Sequence, residues 1–385
     1  MTRCAPSAPD PRIAEAKMAD VPGLVDRLAL TNMRRRSGEL VGPCPNCGGD
    51  DRFNIKVSTG QFTCHQCDLS GGDQIALVRS VEKLDFLDAL TWICGDAPAD
   101  PAEIERRRRR AEEKARRQDA IAERKRLGAI ASAKDIWRSG VDPEGTAVRA
   151  YLTRRGITPD LLPVMPACLR FHPDLKYMEH GKSGWVQIHS GPAMMAKIVQ
   201  PSGAFGGVHR TWLDLDQPKG KIKIVREGEF ATSKPGEEFD AKKSLGSKQG
   251  GTIRLSVPKA ADVMVMGEGI ETSLTAMVSG AFPDAAFCVG IDRGNMSGKV
   301  IGRGYSNTPD MSDTRAFVPP EWVMRLVFVK DGDVGAKGKI TQARLEAGLK
   351  RAMARRPGLC GQIWQVPEGQ DLNDILMGNS DAGVS

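Results

Sequence analysis

The sequence predicts a multidomain α+β protein, and three observations lead to this fold class. At 385 residues the chain is longer than one typical domain. Two Cys-x-x-Cys pairs are followed by a long charged stretch, and apolar segments of strand length then alternate with helical patterns. These changes predict an N-terminal extension (1–41), a cysteine block (42–97), a charged helical linker (98–130), an α+β section (131–258) and a C-terminal α/β section (259–380).

Composition and charge exclude few functions. Apolar residues make up 40% of the chain and charged residues 27%, which is typical of soluble globular proteins. No apolar run is long enough to span a bilayer, and the N-terminus has no apolar signal core. The sequence therefore predicts a cytoplasmic protein without a membrane partner. A net charge of +7 is compatible with a polyanionic partner but does not identify one.

The cysteine block predicts a structural Zn²⁺ site. Two Cys-x-x-Cys pairs are separated by sixteen residues, a spacing at which four thiolates can close a tetrahedron around zinc. The predicted ligands are Cys44, Cys47, Cys64 and Cys67.

The residues between the two cysteine pairs predict a β-hairpin, and hence a zinc ribbon. Phe53, Ile55 and Val57 alternate along one segment, a turn follows at Thr59-Gly60, and Phe62 continues the apolar face. The other face carries polar side chains that would contact nucleic acid or would simply be solvated: Arg52, Asn54, Lys56 and Gln61. Downstream, Asp73 is expected to cap the first of the helices that back the ribbon.

The middle of the chain predicts a connecting helix and then a β-rich section. Residues 101–128 are helix formers with both charges interleaved, which is typical of a solvent-exposed helix. A second helical pattern covers 131–155. Beyond it, short strand-like runs such as "AMMAKIVQ", "KIKIV" and "GTIRLSV" are separated by Gly/Pro turns.

The C-terminal section predicts a parallel sheet that presents carboxylates at one edge. Apolar runs such as "DVMVM" and "RLVFV" alternate with helical segments, as in sheets covered on both faces. Asp331 and Asp333 follow one run at i, i+2 spacing, and Gly332 between them permits close backbone approach. Alone, this triplet favours a solvated turn. Glu268, which follows a second strand, favours a Mg²⁺ site instead, because two strands then direct acids to one edge.

These acidic segments resemble the Toprim domain, which has a Rossmann-like parallel sheet. "VMVMGEGIETSLTA" supplies its glutamate, and "LVFVKDGDVGAKG" supplies its Asp-x-Asp some sixty residues later. The closing "VPEGQDLNDILMG" resembles the acidic tail of Toprim in primases, which implies that Asp371 is a further carboxylate on the metal. Glu271 is a weaker candidate, for which a helix-surface position is expected.

The cysteine block resembles the CHC2-like zinc ribbon of DnaG-type DNA primases and of their phage and plasmid relatives. The segments between the ribbon and the acids, including "LRFHPDLKY" and "AKKSLG", resemble the basic subdomain of mobile-element primases. By position this implies that Arg210, Lys243 and Arg254 hold template or nucleotide phosphates, although each is equally compatible with a surface cation.

The resemblance implies a DNA primase of a phage, prophage or plasmid that makes short RNA primers on single-stranded DNA. Mg²⁺ or Mn²⁺ held by Asp331, Asp333 and Asp371 would bind the incoming ribonucleoside triphosphate, with Glu268 as metal ligand or general base. A separately encoded replicative helicase is the expected partner. Two alternatives stay open: a metal-dependent nuclease or topoisomerase-like enzyme, and an inactive zinc-ribbon DNA-binding adaptor.

Overall fold

A computed structural model describes residues 10–36, 38–95, 101–232, 236–302, 304–367, 369–370 and 372–378. The chain forms two compact units, Met1–Arg124 with Lys182–Gly184, and Lys125–Gly181 with Trp185–Ser385. Helices and strands occur in both, which confirms the predicted α+β class, while the five-part division stays a prediction. In the described ranges, no helix combines the length and the apolar character that crossing a membrane requires.

The first unit is built around an antiparallel sheet that forms the predicted ribbon. Its strands are paired in chain order: β1 (Arg34–Arg36), β2 (Glu39–Cys44), β3 (Gly48–Lys56), β4 (Phe62–Cys64) and β5 (Ser70–Gly71). Phe53, Ile55 and Phe62 are at most 1% exposed, so the predicted apolar face is the core of this unit.

Helices that precede and follow the ribbon in the sequence pack against it and complete its hydrophobic core. They are α1 (Arg12–Ala16), α2 (Val21–Arg27), α3 (Gln74–Glu82) and α4 (Phe86–Cys94). Leu24 and Val25 of α2 are buried together with Phe53, a contact that the sequence prediction did not anticipate. Asp73 caps α3 as predicted, because its carboxylate accepts a hydrogen bond of 2.9 Å from the backbone N–H of Ala76.

A 39-residue helix, α5 (Pro101–Ser139), follows. It is longer than the predicted 101–128 segment, and the predicted helical pattern 131–155 is divided between α5 and α6 (Ala147–Arg154). Gly128 does not end the helix because a glycine costs only about 1 kcal/mol there and its neighbours are good helix formers. The break comes instead at 140–146, where Gly140, Pro143 and Gly145 occur together.

The second unit contains a four-stranded sheet in chain order, with β6 (Leu169–Gly181), β7 (Gly184–Val199), β8 (Phe205–Trp212) and β9 (Lys242–Gly246). Its core includes Tyr177 and Trp212, whose ring centroids lie 4.4 Å apart. The run 221–225 was predicted as a strand but forms only isolated bridges, such as Leu213 with Lys221.

A second sheet in this unit carries the predicted acids. Its order is β10-β12-β11-β15-β16, from β10 (Ile253–Ser256), β11 (Val263–Gly267), β12 (Ala286–Val289), β15 (Arg325–Lys330) and β16 (Cys360–Gln365). The four strands other than β10 are parallel, as the sequence predicts. Strand β10 was assigned to the preceding section by sequence, but it pairs antiparallel with β12 as the edge of this sheet.

Helices cover both faces of the parallel sheet. The chain between its strands forms α7 (Ile270–Val278), α8 (Arg293–Ser297), the hairpin β13 (Val300–Ile301) and β14 (Thr308–Pro309), α9 (Gly335–Arg355) and, after β16, α10 (Leu372–Leu376). Leu274 of α7 packs with Val327 and Val329, whereas Leu345 of α9 packs with Phe328. Since side chains alternate along β15, α7 and α9 lie on opposite faces.

Candidate metal centres and nucleic-acid contacts

The four predicted zinc ligands converge in the ribbon. Their Sγ atoms all lie within 4.8 Å of one another. Cys44 ends β2 and approaches Cys67 to 3.7 Å, and Cys64 ends β4 and approaches Cys47 to 3.5 Å. The described residues contain no other group of three or more His, Cys, Asp or Glu side chains this close together. Four sulfur ligands at one point fit Zn²⁺.

The electrostatics of the cluster show why it needs a cation. The backbone N–H of Leu69 and the side-chain amide of Asn46 lower the pKa of Cys67 to about 6. Burial, together with hydrogen bonds among the thiols, raises the pKa of Cys47 to about 12. Not all four sulfurs can be ionised together near neutral pH without a positive charge among them, and Zn²⁺ would supply that charge when bound.

The polar face of the ribbon is largely exposed. Arg52 and Lys56 are solvent-accessible, and the Lys56 ammonium donates to the Gln61 side chain over 3.2 Å. Asn54 instead donates to Glu39 over 3.3 Å. Two exposed cations, Arg52 and Lys56, therefore lie on β3. This arrangement is compatible with contacts to nucleic acid and equally with side chains that are simply solvated.

The predicted acids lie at the carboxyl edge of the parallel sheet. Glu268 follows β11, and Asp331 and Asp333 follow β15, which is hydrogen-bonded to β11 in parallel register. Burial raises the pKa of Glu268, Arg293 opposes that shift, and the charge of Asp333 adds to it. Glu268 and the Asp331–Asp333 turn therefore lie at the same edge of the sheet, although in the described residues their carboxylate oxygens do not form a group within 4.8 Å of one another.

Side chains that the sequence prediction missed link these acids. Arg293 on α8 makes an ion pair of 3.1 Å with Glu268 and donates to the Thr341 hydroxyl over 2.6 Å. Thr341 in turn donates to Asp333 over 3.2 Å. Thr341 lies on α9, two turns after Asp333 in the sequence. Arg293 lies on α8, which follows β12, so only the assembled sheet brings it beside Glu268.

The Asp-Gly-Asp turn is fixed by a crossing segment. The backbone N–H of Gly332 donates to the Gln370 carbonyl over 2.9 Å, and Gly369 donates to the Gly332 carbonyl over 2.8 Å. A Cβ on Gly332 would lie 2.0 Å from the Pro367 carbonyl oxygen, which confirms the predicted need for glycine. The fourth predicted acid, Asp371, lies outside the described residues.

The donor set at this edge fits a hard divalent cation. Glu268, Asp331 and Asp333 offer only carboxylate oxygens, which are the ligands that Mg²⁺ prefers. Two of these carboxylates are balanced by cations: Asp333 pairs with Lys337 at 2.7 Å, and Glu268 pairs with Arg293. Burial would raise the pKa of Asp333, but Lys337 and Thr341 outweigh it and lower that pKa.

The three predicted phosphate-binding cations do not converge. Arg210 and Lys243 are register partners on β8 and β9, whereas Arg254 lies on β10 in the other sheet. Arg210 is only 8% exposed, lies over the Trp212 ring at 5.2 Å, and has its pKa lowered to about 10 by burial. Lys243 pairs with Glu179 at 2.7 Å. Their role in phosphate binding stays a prediction.

Glu271 is buried, so the expected helix-surface position is wrong. Lys221 and Lys242 contact its two carboxylate oxygens at 2.7 and 3.1 Å, and the Tyr151 hydroxyl also donates to it. Burial would raise the pKa of Glu271, but the two lysines outweigh it and hold that pKa well below its usual range. Lys242 contacts Glu271, whereas its neighbour Lys243 contacts Glu179. Alternation along a strand places adjacent residues on opposite faces, but it does not show which of the two lysines faces Glu271.

Family models match two parts of the chain. Residues 41–75 match a family described as the zinc-binding domain of primase-helicase, which confirms the predicted primase-type ribbon. Residues 128–255 match a domain of unknown function, DUF7146. None of the curated proteins compared with the chain matches it.

Several solved structures are loosely similar. The zinc-binding and RNA polymerase domains of the Aquifex aeolicus primase align over 96% of this chain and 83% of their own length, at 15% identity and a TM-score of 0.35. A primase domain from Pseudomonas aeruginosa aligns over 62% of this chain and 70% of its own length, at 14% identity and a TM-score of 0.33. The primase fragment of the bacteriophage T7 primase-helicase protein aligns over 89% of this chain and 95% of its own length, at 13% identity and a TM-score of 0.33.

Proposed function

We propose that this protein is a DNA primase, of a phage, prophage or plasmid replication system, that makes short RNA primers on single-stranded DNA. One observation carries the proposal: the same chain contains a ribbon of the primase-helicase zinc-binding family and carboxylates at the ends of two adjacent parallel strands. The ribbon favours a primase among enzymes that use such an acidic edge.

In this proposal Asp331, Asp333 and Asp371 hold Mg²⁺ or Mn²⁺. The bound ions would lower the pKa of the primer 3′-hydroxyl and neutralise charge on the triphosphate. The Asp-Gly-Asp turn positions its two carboxylates through the hydrogen bonds between Gly332 and the 369–370 segment. Such pre-organisation matters because small displacements of reacting groups slow catalysis strongly.

Glu268 is the proposed proton acceptor. Burial and the neighbouring charge of Asp333 raise its pKa, which makes its carboxylate a better base than an exposed glutamate. Arg293 limits this rise and orients the side chain through their 3.1 Å contact. Glu268 can thereby accept the 3′-hydroxyl proton as that oxygen attacks the α-phosphorus of the incoming ribonucleotide and pyrophosphate leaves.

The ribbon is the proposed contact with the template. Arg52 and Lys56 project from the exposed face of β3 and can neutralise template phosphates, so binding should weaken as salt rises. Arg210, Lys243 and Arg254 are proposed to hold template or nucleotide phosphates at separate places, because the three side chains do not converge. Since Arg210 is buried and Lys243 is paired with Glu179, side-chain rearrangement would have to accompany binding.

Product analysis tests the proposal. The full chain is incubated with single-stranded DNA of varied sequence, labelled ribonucleoside triphosphates and Mg²⁺, and the products are separated by length. Short alkali-labile RNA products that require template and metal are expected. Metal-dependent shortening of the DNA without ribonucleotide incorporation would identify a nuclease instead, and DNA binding without either product would identify an adaptor.

A replicative helicase is the proposed protein partner. Affinity capture with the full chain from host cells that are replicating the parent element should recover a helicase, in amounts that do not fall after nuclease treatment. Capture that recovers no helicase would count against this partner, while leaving primer synthesis to be judged by its own assay.

A further inference from the structure

An apolar pocket of about 420 Å³ opens in the first unit, between α2 and the segment that leads into β1. Val25 of α2 and Leu40 of β2 are 4% and 8% exposed and form its apolar base, and Met33 forms one wall. The Met33 sulfur lies over Gly42, because a Cβ added to that glycine would come within 2.5 Å of it. The volume lies in the range of small-ligand sites.

Backbone hydrogen bonds fix the rim of this pocket. The N–H of Leu30 donates to the Val25 carbonyl, and the N–H of Ala29 donates to the Asp26 carbonyl, both over 3.1 Å. Ala29 has a φ of 51°, in the left-handed region where helices usually end on glycine. The pocket is therefore preformed, which lowers the entropic cost of occupying it.

Strand β1, which follows the pocket, consists of three exposed arginines, Arg34, Arg35 and Arg36. Within the described ranges, no carboxylate forms an ion pair with any of them. Glu39 is the register partner of Arg36 but accepts a hydrogen bond of 3.3 Å from Asn54. Three cations on one short strand without carboxylate partners are complementary to an anionic binding partner.

The register of the sheet places Arg35 on the same face as the pocket. Arg35 pairs with Leu40, which pairs in turn with the buried Ile55, and cross-strand partners share a face. Met33 and Arg35 are two residues apart, which is about 7 Å along a strand. An apolar group in the pocket and a carboxylate at Arg35 therefore match alternate residues of an extended peptide.

Strand β1 is also an edge of the five-stranded sheet. Among the described strands it pairs with β2 alone, so alternate residues direct their backbone N–H and C=O groups away from the sheet. An extended peptide can pair with these groups, whereas a nucleic acid offers no strand backbone. Because Asp26 is exposed at the pocket, the group that enters should be apolar rather than anionic.

We propose that β1 and the pocket bind an acidic, extended peptide segment of a partner protein. The segment adds to β1 as a further strand, with an apolar side chain in the pocket and carboxylates at the arginines. This site goes beyond the proposed primase function, because it needs neither nucleotides nor the acids of the parallel sheet.

A synthetic peptide tests the proposal. The probe is a fluorescein-labelled heptapeptide with a central phenylalanine flanked on each side by three glutamates, which suits either strand direction. Its binding to the zinc-loaded full chain is followed by fluorescence anisotropy at about 0.15 M salt. Replacement of the phenylalanine by glycine should weaken binding at least about tenfold. Methylation of two adjacent backbone nitrogens should weaken it several-fold, because one of the two would face β1.

Charge reversal on the protein tests the same contact. Arg35→Glu should weaken binding of the probe at least about tenfold, because it places a carboxylate opposite the glutamates. Arg79→Glu reverses an exposed arginine on α3 of the same unit and is the matched control, which should bind as the wild type does. Equal zinc content in both variants shows that each keeps its ribbon. Equal affinity of the two variants for the probe would overturn the proposal.

Photocrosslinking locates the bound peptide. With benzoylphenylalanine in place of the central phenylalanine, crosslinks should map to the 22–33 segment or to Leu40. Crosslinks confined to other parts of the chain would overturn the proposal. If Arg35→Glu leaves peptide affinity unchanged and weakens binding of single-stranded DNA more than Arg52→Glu does, β1 is a nucleic-acid contact and the peptide proposal is wrong.

Discussion

Replacement of Gly332 by alanine should damage both stability and activity, and the structure sets the size of the effect. The new Cβ would lie 2.0 Å from the Pro367 carbonyl oxygen and 2.4 Å from that of Gln370. Since contacts of a Cβ essentially never fall below 3.0 Å, the backbone at Pro367 and Gln370 has to move by roughly 1 Å. That movement breaks the 2.9 and 2.8 Å backbone hydrogen bonds that join Gly332 to Gln370 and Gly369.

Two lost hydrogen bonds correspond to about 1–3 kcal/mol of unfolding free energy. If the Asp331 and Asp333 carboxylates catalyse the proposed reaction, a shift of this size in their turn should lower its rate about 100-fold. Urea denaturation and template-dependent primer synthesis measure the two effects. Gly128→Ala is the control, because Gly128 is helical and a Cβ there meets nothing within 4 Å. Primer synthesis and stability in Gly332→Ala equal to the wild-type values would show that the contact between Gly332 and the crossing backbone does not position the two aspartates.

The remaining predictions concern the buried carboxylate and the zinc cluster. Glu271→Gln should lower the unfolding free energy at pH 7 by about 3 kcal/mol, because it leaves Lys221 and Lys242 without their anion, whereas exposed Glu237→Gln should change it little. Although burial acts to raise the pKa of Glu271, the lysines depress it, so the unfolded chain takes up a proton first as the pH falls below about 4.3. The stabilisation is therefore present above that pH and is lost as the pH falls below it. In denaturant titrations, the unfolding free energy of Glu271→Gln should fall less with decreasing pH than that of the wild type. An identical fall in both proteins would contradict the depressed pKa. Cys44→Ser should lose the bound zinc, as measured by atomic absorption, and its ribbon should unfold. Cys360 is an exposed thiol outside the cluster, so Cys360→Ser should keep about one zinc per chain. Zinc retained by Cys44→Ser would exclude the four-cysteine site.

The features that the sequence predicted correctly are those set by local spacing. Two cysteine pairs fix a metal cluster whatever their surroundings, and alternation identified Phe53 and Ile55 as the buried face of the ribbon. The acids were found because an apolar run ends where Glu268 and Asp331 begin, and parallel strands bring such ends to one edge.

The features that it missed depend on contacts between distant segments. Glu271 follows the pattern of a surface helix residue, and only Lys221 and Lys242, from the other sheet region of the unit, make its burial favourable. Arg293 reaches Glu268 because β12 lies beside β11, an order that the sequence does not reveal. The predicted linker helix covered 101–128, but local helix propensity is strong enough for α5 to continue to Ser139.

Under the proposed function, the acids at the carboxyl edge of the parallel sheet catalyse primer synthesis. Asp331→Asn removes one carboxylate charge with little change in shape, and both primer synthesis and single-stranded DNA binding can be measured on the purified full chain. Loss of primer synthesis by at least about 1,000-fold, with DNA affinity within a factor of two of wild type, is the predicted result. Primer synthesis by Asp331→Asn at the wild-type rate would show that these acids do not catalyse the reaction.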